Sequence, residues 1–226
     1  MKTIVVGGHT RNIGKTSVMA GLIRDMRSMK WTAVKITQFG HGICSLDGEP
    51  CECAPSEHAF VLTEESNASD GTDTSRFLAA GAKRSLWLRV RQGQLAEAFP
   101  LLEQALAHED WVMIESNSIL RVLKPSLYLA VLDPSRSDFK PSALDSLLSA
   151  DALVPIQSAG TLDAPAWPKL NSRVFENKPR FPVASDDYFS PGLCQFVREK
   201  LALPADKQLS EAELHLIPGK EQLCQH

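Results

Sequence analysis

VVGGHTRNIGKTS, residues 5 to 17, follows the first apolar run of the chain and ends in Gly14-Lys15-Thr16-Ser17. A loop that cradles phosphate between a strand and a helix commonly reads Gly-x-x-x-x-Gly-Lys-Ser/Thr. Counted back from Gly14, the place of its first glycine falls on His9. Measured from Gly8, the pattern is Gly-x-Thr-x-x-x-Gly-Lys-Thr, one residue longer. Position supports the longer form, because the free N–H groups and positive dipole end of a helix start attract anions. Gly8, Thr10, Arg11, Asn12, Ile13, Gly14, Lys15, Thr16 and Ser17 are then the nucleotide-binding set. Backbone N–H groups from Arg11 to Thr16 would cradle phosphates, Lys15 would reach the β and γ oxygens, and Thr16 would offer its hydroxyl to Mg²⁺. The bland alternative is an ordinary strand-to-helix turn. Arg11 reads equally well as a phosphate contact or as a solvated loop arginine.

Downstream, short apolar runs alternate with segments of helical period, the pattern of a parallel sheet covered by helices on both faces. The expected strands are Thr3–Val6, Thr32–Ile36, Ser85–Val90, Trp111–Glu115, Leu127–Leu132 and Ala152–Ile156. Met19, Leu22, Ile23 and Met26 recur at helical spacing, as do Leu95, Ala98, Phe99 and Leu102. Leu144, Leu147 and Leu148 suggest a further helix, and Leu193, Phe196, Val197 and Leu201 a last one. The expected fold is therefore α/β, a doubly wound and mainly parallel sheet in a three-layer αβα arrangement. It occupies residues 1–202 as a single domain, with an irregular insertion at 38–71 and a C-terminal extension at 203–226. With 226 residues, 43% of them hydrophobic and 23% charged, the chain has the length for one large core. A net charge of -3 gives no electrostatic reason to expect nucleic acid or an anionic membrane as partner. No run approaches the roughly 18 apolar residues of a spanning helix, and Ile4-Val5-Val6 passes straight into glycines, so the expected location is cytoplasmic.

The longer glycine-to-lysine spacing resembles that of dethiobiotin synthetases and cobyrinic acid amidases, within the wider group of P-loop proteins that includes nitrogenase iron protein and MinD. The resemblance implies a P-loop NTPase fold. Lys35, in Ala33-Val34-Lys35-Ile36, is placed at the carboxyl edge of a sheet, where ligands of open α/β folds bind. Dethiobiotin synthetases carry a lysine there that handles a carboxylated substrate near the γ-phosphate. The molybdopterin-guanine dinucleotide biosynthesis accessory proteins have Val-x-Lys-His, of which the histidine is Ile36 in this chain. The resemblance makes Lys15 and Lys35 the catalytic candidates, with a role-free surface lysine as the alternative for Lys35.

Gly71-Thr72-Asp73-Thr74-Ser75-Arg76, followed by Ala80-Gly81-Ala82, is similar to a Gly-x-Asp-Ser/Thr-x-Arg segment of those accessory proteins. Asp73 reads either as a helix N-cap, worth ~1 kcal/mol, or as a Mg²⁺ contact, with Asp70 as its neighbouring substitute. Glu115 ends the buried run Trp111-Val112-Met113-Ile114, and an acid in such a place needs a cation or donors. In the superfamily the corresponding Val-Glu-Gly binds Mg²⁺ through its glutamate, so the magnesium set is Thr16, Asp73 and Glu115. Salt-bridging to a neighbour is the alternative. Ser116-Asn117-Ser118 replaces the family's glycines.

The insertion holds His41, Cys44, Cys51, Cys53 and His58. Thiolate and imidazole suit a closed tetrahedral Zn²⁺ site that would pin a loop short of apolar residues. Free loop thiols are the competing reading. Cys194 and Cys224 read as core and tail residues. No Asn-Lys-x-Asp follows a strand, so ATP and GTP stay unseparated as the bound nucleotide. The expected function is a Mg²⁺-dependent NTPase, ligase or kinase whose γ-phosphate activates a small carboxylate. The rival is an accessory module, similar to the molybdenum-cofactor proteins, that delivers a cofactor or metal and turns over little by itself. Partners would be the nucleotide and a small-molecule or cofactor substrate, with a homodimer in keeping with the superfamily.

Overall fold

The computed structural model describes residues 1–40, 59–139, 141–157, 167 and 174–203. β1 (Lys2–Gly8) carries Ile4, Val5 and Val6 with no surface exposed to solvent. A strand apolar at consecutive positions must be covered on both faces, which dictates three layers. Ile4 and Val6 pack with Val18, Met19, Leu22 and Ile23 of α1 (Lys15–Asp25), and with Phe77 of α2 (Asp73–Ala80). Val5 belongs to the opposite core, with Ala98 and Leu102 of α3 (Leu95–Leu106) and Leu147 of α4 (Pro141–Leu148). Each of the larger of these side chains, from valine to phenylalanine, contributes about 2 kcal/mol by leaving water.

The remaining strands are β2 (Thr32–Phe39), β3 (Phe60–Glu64), β4 (Arg84–Arg91), β5 (Trp111–Glu115), β6 (Leu127–Leu132), β7 (Ala152–Gln157) and β8 (Val183–Ala184). They form one sheet in the order β3-β4-β2-β5-β1-β6-β7-β8. All neighbours are parallel except β3, which runs antiparallel to β4 at one edge. α5 (Pro191–Leu201) starts at Ser190, whose hydroxyl accepts from the Leu193 N–H, and buries Leu193, Cys194, Val197 and Leu201. The doubly wound, mainly parallel α/β fold expected from the sequence is thus the fold observed. Among the described residues no helix is long and apolar enough to cross a membrane.

Three local expectations are corrected. The stretch 38–71 is not irregular throughout: β2 runs on to Phe39, and Phe60–Glu64 forms β3. As a half-covered edge strand, β3 lacks the continuous apolar run that marks the inner strands. The cap of α2 is Thr72, whose hydroxyl accepts from the Ser75 N–H at 3.1 Å, so Asp73 is the first helical residue. Leu148 is 58% exposed and lies outside the core that Leu147 joins.

Winding sets the site. From β1 the chain passes over β5 to β2, returns to insert β5 beside β1, and then crosses to β6 on the other flank. The direction of winding reverses next to β1, and the carboxyl ends of the strands there border the crevice where α/β proteins hold ligands.

Candidate functional site

Gly8 ends β1 and opens the loop to α1. The side chain of Asn117 serves both its backbone groups: Nδ2 donates to the Gly8 carbonyl at 2.6 Å, and Oδ1 accepts from the Gly8 N–H at 2.8 Å. A Cβ on Gly8 would stand 2.7 Å from Ile13 Cδ1 and 2.8 Å from the Val131 carbonyl oxygen, so the turn closes only around glycine. Gly14, with φ 87°, is the N-cap of α1 in the left-handed region that glycine adopts without penalty. No side chain caps α1, and no acidic residue stands in its first turn. A helix start left this way is suited to an anion. Lys15 Nζ turns back over the loop to donate to the Thr10 carbonyl at 2.7 Å. Arg11 and Asn12 are exposed, Ile13 is buried, and Ser17 is half-buried.

Thr16, Lys35, Asp73 and Glu115 meet beside this loop. β2 outruns β5, so Lys35 does not close its strand but lies level with Glu115, its register partner. Its ammonium is 2.5 Å from Glu115 Oε1 and 2.7 Å from Asp73 Oδ2. The other oxygen of Glu115, Oε2, accepts from the Thr16 hydroxyl at 2.7 Å. Glu115, whose side chain is 4% exposed, is therefore paired through both oxygens, with Lys35 on one and Thr16 on the other. Burial works against the charge of Lys35, but Glu115 and then Asp73 outweigh it and raise its pKa. Burial likewise opposes the charge of Asp73, and Lys35 outweighs it, lowering that carboxyl below its ordinary value. Arg76 extends the network, 3.6 Å from Asp73 Oδ1 and donating to Ser17 Oγ at 2.8 Å. Asp70 stays out of it, accepting from the Thr72 N–H and hydroxyl on the surface.

A hydroxyl and two carboxylates are hard oxygen donors, the type that Mg²⁺ takes alongside phosphate and water. Among the described residues no group of three or more His, Cys, Asp or Glu is placed to hold a metal. Thr16, Asp73 and Glu115, the residues expected to hold Mg²⁺, are brought together here and could supply such donors. His41, Cys44, Cys51, Cys53 and His58 lie outside the described residues.

Other residues at the loop escaped notice in the sequence. His9 is 1% exposed, and neither ring nitrogen makes a hydrogen bond of good geometry. Its ring stacks on Phe139 with centroids 5.4 Å apart and meets the edge of Trp167 at 4.6 Å. Burial depresses its pKa to about 4, against the opposing pull of Asp138 and Asp133. Next to it, the Thr10 hydroxyl donates to Asp138 Oδ2 in a short hydrogen bond. Tyr188 packs its ring so closely on Gly14 that a Cβ there would stand 2.1 Å from Cε1. Thr10 was in the expected nucleotide-binding set; His9, Asp138, Phe139, Trp167 and Tyr188 were not.

No protein-family model matches the chain, and no curated protein matches it. Among solved structures, HypB from Helicobacter pylori, in complex with nickel, aligns with a TM-score of 0.49 at 16% identity, covering 87% of this chain and 86% of that one. LpxK from Aquifex aeolicus, in complex with ATP, aligns at 0.44 and 15% identity over 91% of this chain and 69% of that one. A chain of the MinC:MinD cell division complex from Aquifex aeolicus gives 0.40 and 11%, over 88% and 86%. These are distant likenesses and transfer no residue roles.

Proposed function

We propose that this chain binds a magnesium nucleoside triphosphate on the loop from Gly8 to Ser17 and uses its γ-phosphate to activate a small carboxylate. One observation carries the reading. The hydroxyl of Thr16, directly after the loop lysine, bonds Glu115 at the carboxyl end of β5, and Lys35 and Asp73 complete the cluster. The side chains that phosphoryl transfer requires, a phosphate-binding lysine, hard oxygen donors and a second cation, thus converge at an uncapped helix start.

Within this proposal the loop N–H groups and Lys15 hold the triphosphate, and Thr16, Asp73 and Glu115 hold the ion. Bound Mg²⁺ would supply charge neutralisation at the phosphate oxygens. Lys35 is the group to orient an anionic acceptor and to offset charge that develops during transfer. Positioning and electrostatics then do the catalytic work. The accessory-module reading has its own support in the hydrogen bond from Arg76 to Ser17, which ties the Asp-Thr-x-Arg segment to the loop. The two readings differ in turnover: the ligase or kinase speeds up with a specific small acid, whereas the module keeps a low basal rate whatever acid is added.

Calorimetric titration of ATP and GTP, each with and without Mg²⁺, into wild type and Lys15→Ala tests the common core of both. Mg²⁺-dependent binding that disappears in the variant supports it. Binding of neither nucleotide to the wild type refutes it.

A further inference from the structure

Building on the magnesium-nucleotide reading, we infer that Lys35 is a tethered cation occupying the metal position, and that metal loading displaces it and so frees it for the acceptor. The ammonium bridges one oxygen of Glu115, at 2.5 Å, and one of Asp73, at 2.7 Å. Those are two of the three donors assigned to the ion, and the third, Thr16, is held on the remaining oxygen of Glu115. Thr16, Asp73 and Glu115 would hold a Mg²⁺ ion, whose positive charge would be drawn to the same carboxylates. Ammonium and ion would then compete for the same two carboxylates, and two cations in contact in a buried site repel strongly.

The surroundings favour exchange over simple blockade. The charge of a lysine is compact and rides on a flexible stem, so it can leave by rotamer change without moving β2. Asp73 keeps a cation when Lys35 departs, because Arg76 already stands 3.6 Å from its other oxygen. Two carboxylates neutralised by one ammonium are better neutralised by a divalent ion. Binding order follows: until the ion arrives, the charge of Lys35 is spent on Glu115 and Asp73, and an acidic acceptor meets no available cation. The metal nucleotide enters first and the acid second.

The test uses Mn²⁺ without nucleotide, counted by electron paramagnetic resonance, on wild type, Lys35→Met and Lys35→Met/Glu115→Gln. Lys35→Met should bind Mn²⁺ roughly tenfold or more tightly than wild type, and the gain should vanish in the double variant. Equal Mn²⁺ affinity in wild type and Lys35→Met would overturn the inference. Nitrogen NMR of the lysine ammonium groups provides a second measurement on the unaltered chain, with the Lys35 signal assigned by its loss in Lys35→Arg. That signal should move when Mg²⁺ joins a non-hydrolysable nucleotide already bound, and its failure to move overturns the exchange even if Lys35→Met does not fold. If wild type takes up the Mg²⁺ nucleotide while the lysine signal stays put, the exchange is wrong and the nucleotide site stands. If no nucleotide binds wild type, both fall together.

Discussion

Lys35 of β2 and Glu115 of β5 are direct register partners, and their side chains meet at 2.5 Å where β5 ends. Parallel pairing fixes the two backbones level with each other, so the ion pair is set by strand register and not by a mobile loop. Breaking a buried pair by removing one member typically costs 3–5 kcal/mol, because the other is left uncompensated. Lys35 retains Asp73, so Glu115→Leu should lose about 3 kcal/mol, the low end of that range. Lys35→Met/Glu115→Leu should regain more than half of the loss. Urea unfolding of both singles and the double gives the coupling, and simple additivity would show that the pair is not coupled.

Asn117 should prove structural for the loop. Its side chain satisfies both the N–H and the carbonyl of Gly8. Asn117→Ala removes both bonds and is expected to cost about 2 kcal/mol. Asn117→Asp keeps the acceptor but turns a carboxylate oxygen toward the Gly8 carbonyl, and should be no better. Thermal melting gives the stability, and nucleotide titration should show affinity falling in both variants. Unchanged melting would mean that β1 holds the loop start without Asn117.

Much of this was legible because it is local. Val5, Val34, Ile114 and Leu129 belong to strands apolar on both faces, and such runs announce an inner parallel strand without knowledge of the partner. Glu115 was legible for the opposite reason, an acid at the end of such a run. The site partners of Glu115 were not. Lys35 pairs with it only because β5 inserts between β2 and β1, and no sequence spacing encodes that order. The environment of His9 is equally hidden, since Phe139 and Trp167 come to it from far along the chain. β3 was missed because half-covered edge strands carry a weak pattern.

Gly14→Ala combines two penalties. The residue holds φ at 87°, where a Cβ is unfavourable, and that Cβ would strike the Tyr188 ring. The backbone penalty is of order 1 kcal/mol, and the contact adds to it. The variant should melt earlier and lose phosphate affinity, because the start of α1 must shift. Gly14→Ala/Tyr188→Ala should recover part of the stability but not the left-handed backbone. A double variant as unstable as the sum of the singles would count against the ring contact.

His9 should make the chain sensitive to mild acid. In the fold, burial holds its pKa at about 4, against an ordinary value of 6.5. Between those limits the unfolded chain binds a proton that the folded chain refuses. The stability contribution is therefore fully present above pH 6.5 and is lost as pH falls toward 4, by about 3 kcal/mol at pH 4. Carboxylates also titrate in this window, so the informative quantity is a difference between proteins. His9→Phe keeps an aromatic ring against Phe139 and Trp167 and removes the titrating group. Urea unfolding of wild type and His9→Phe, followed from neutral pH downward, should show the gap between them shifting in favour of the variant below pH 6.5. A constant gap would mean that His9 accepts its proton without leaving the fold.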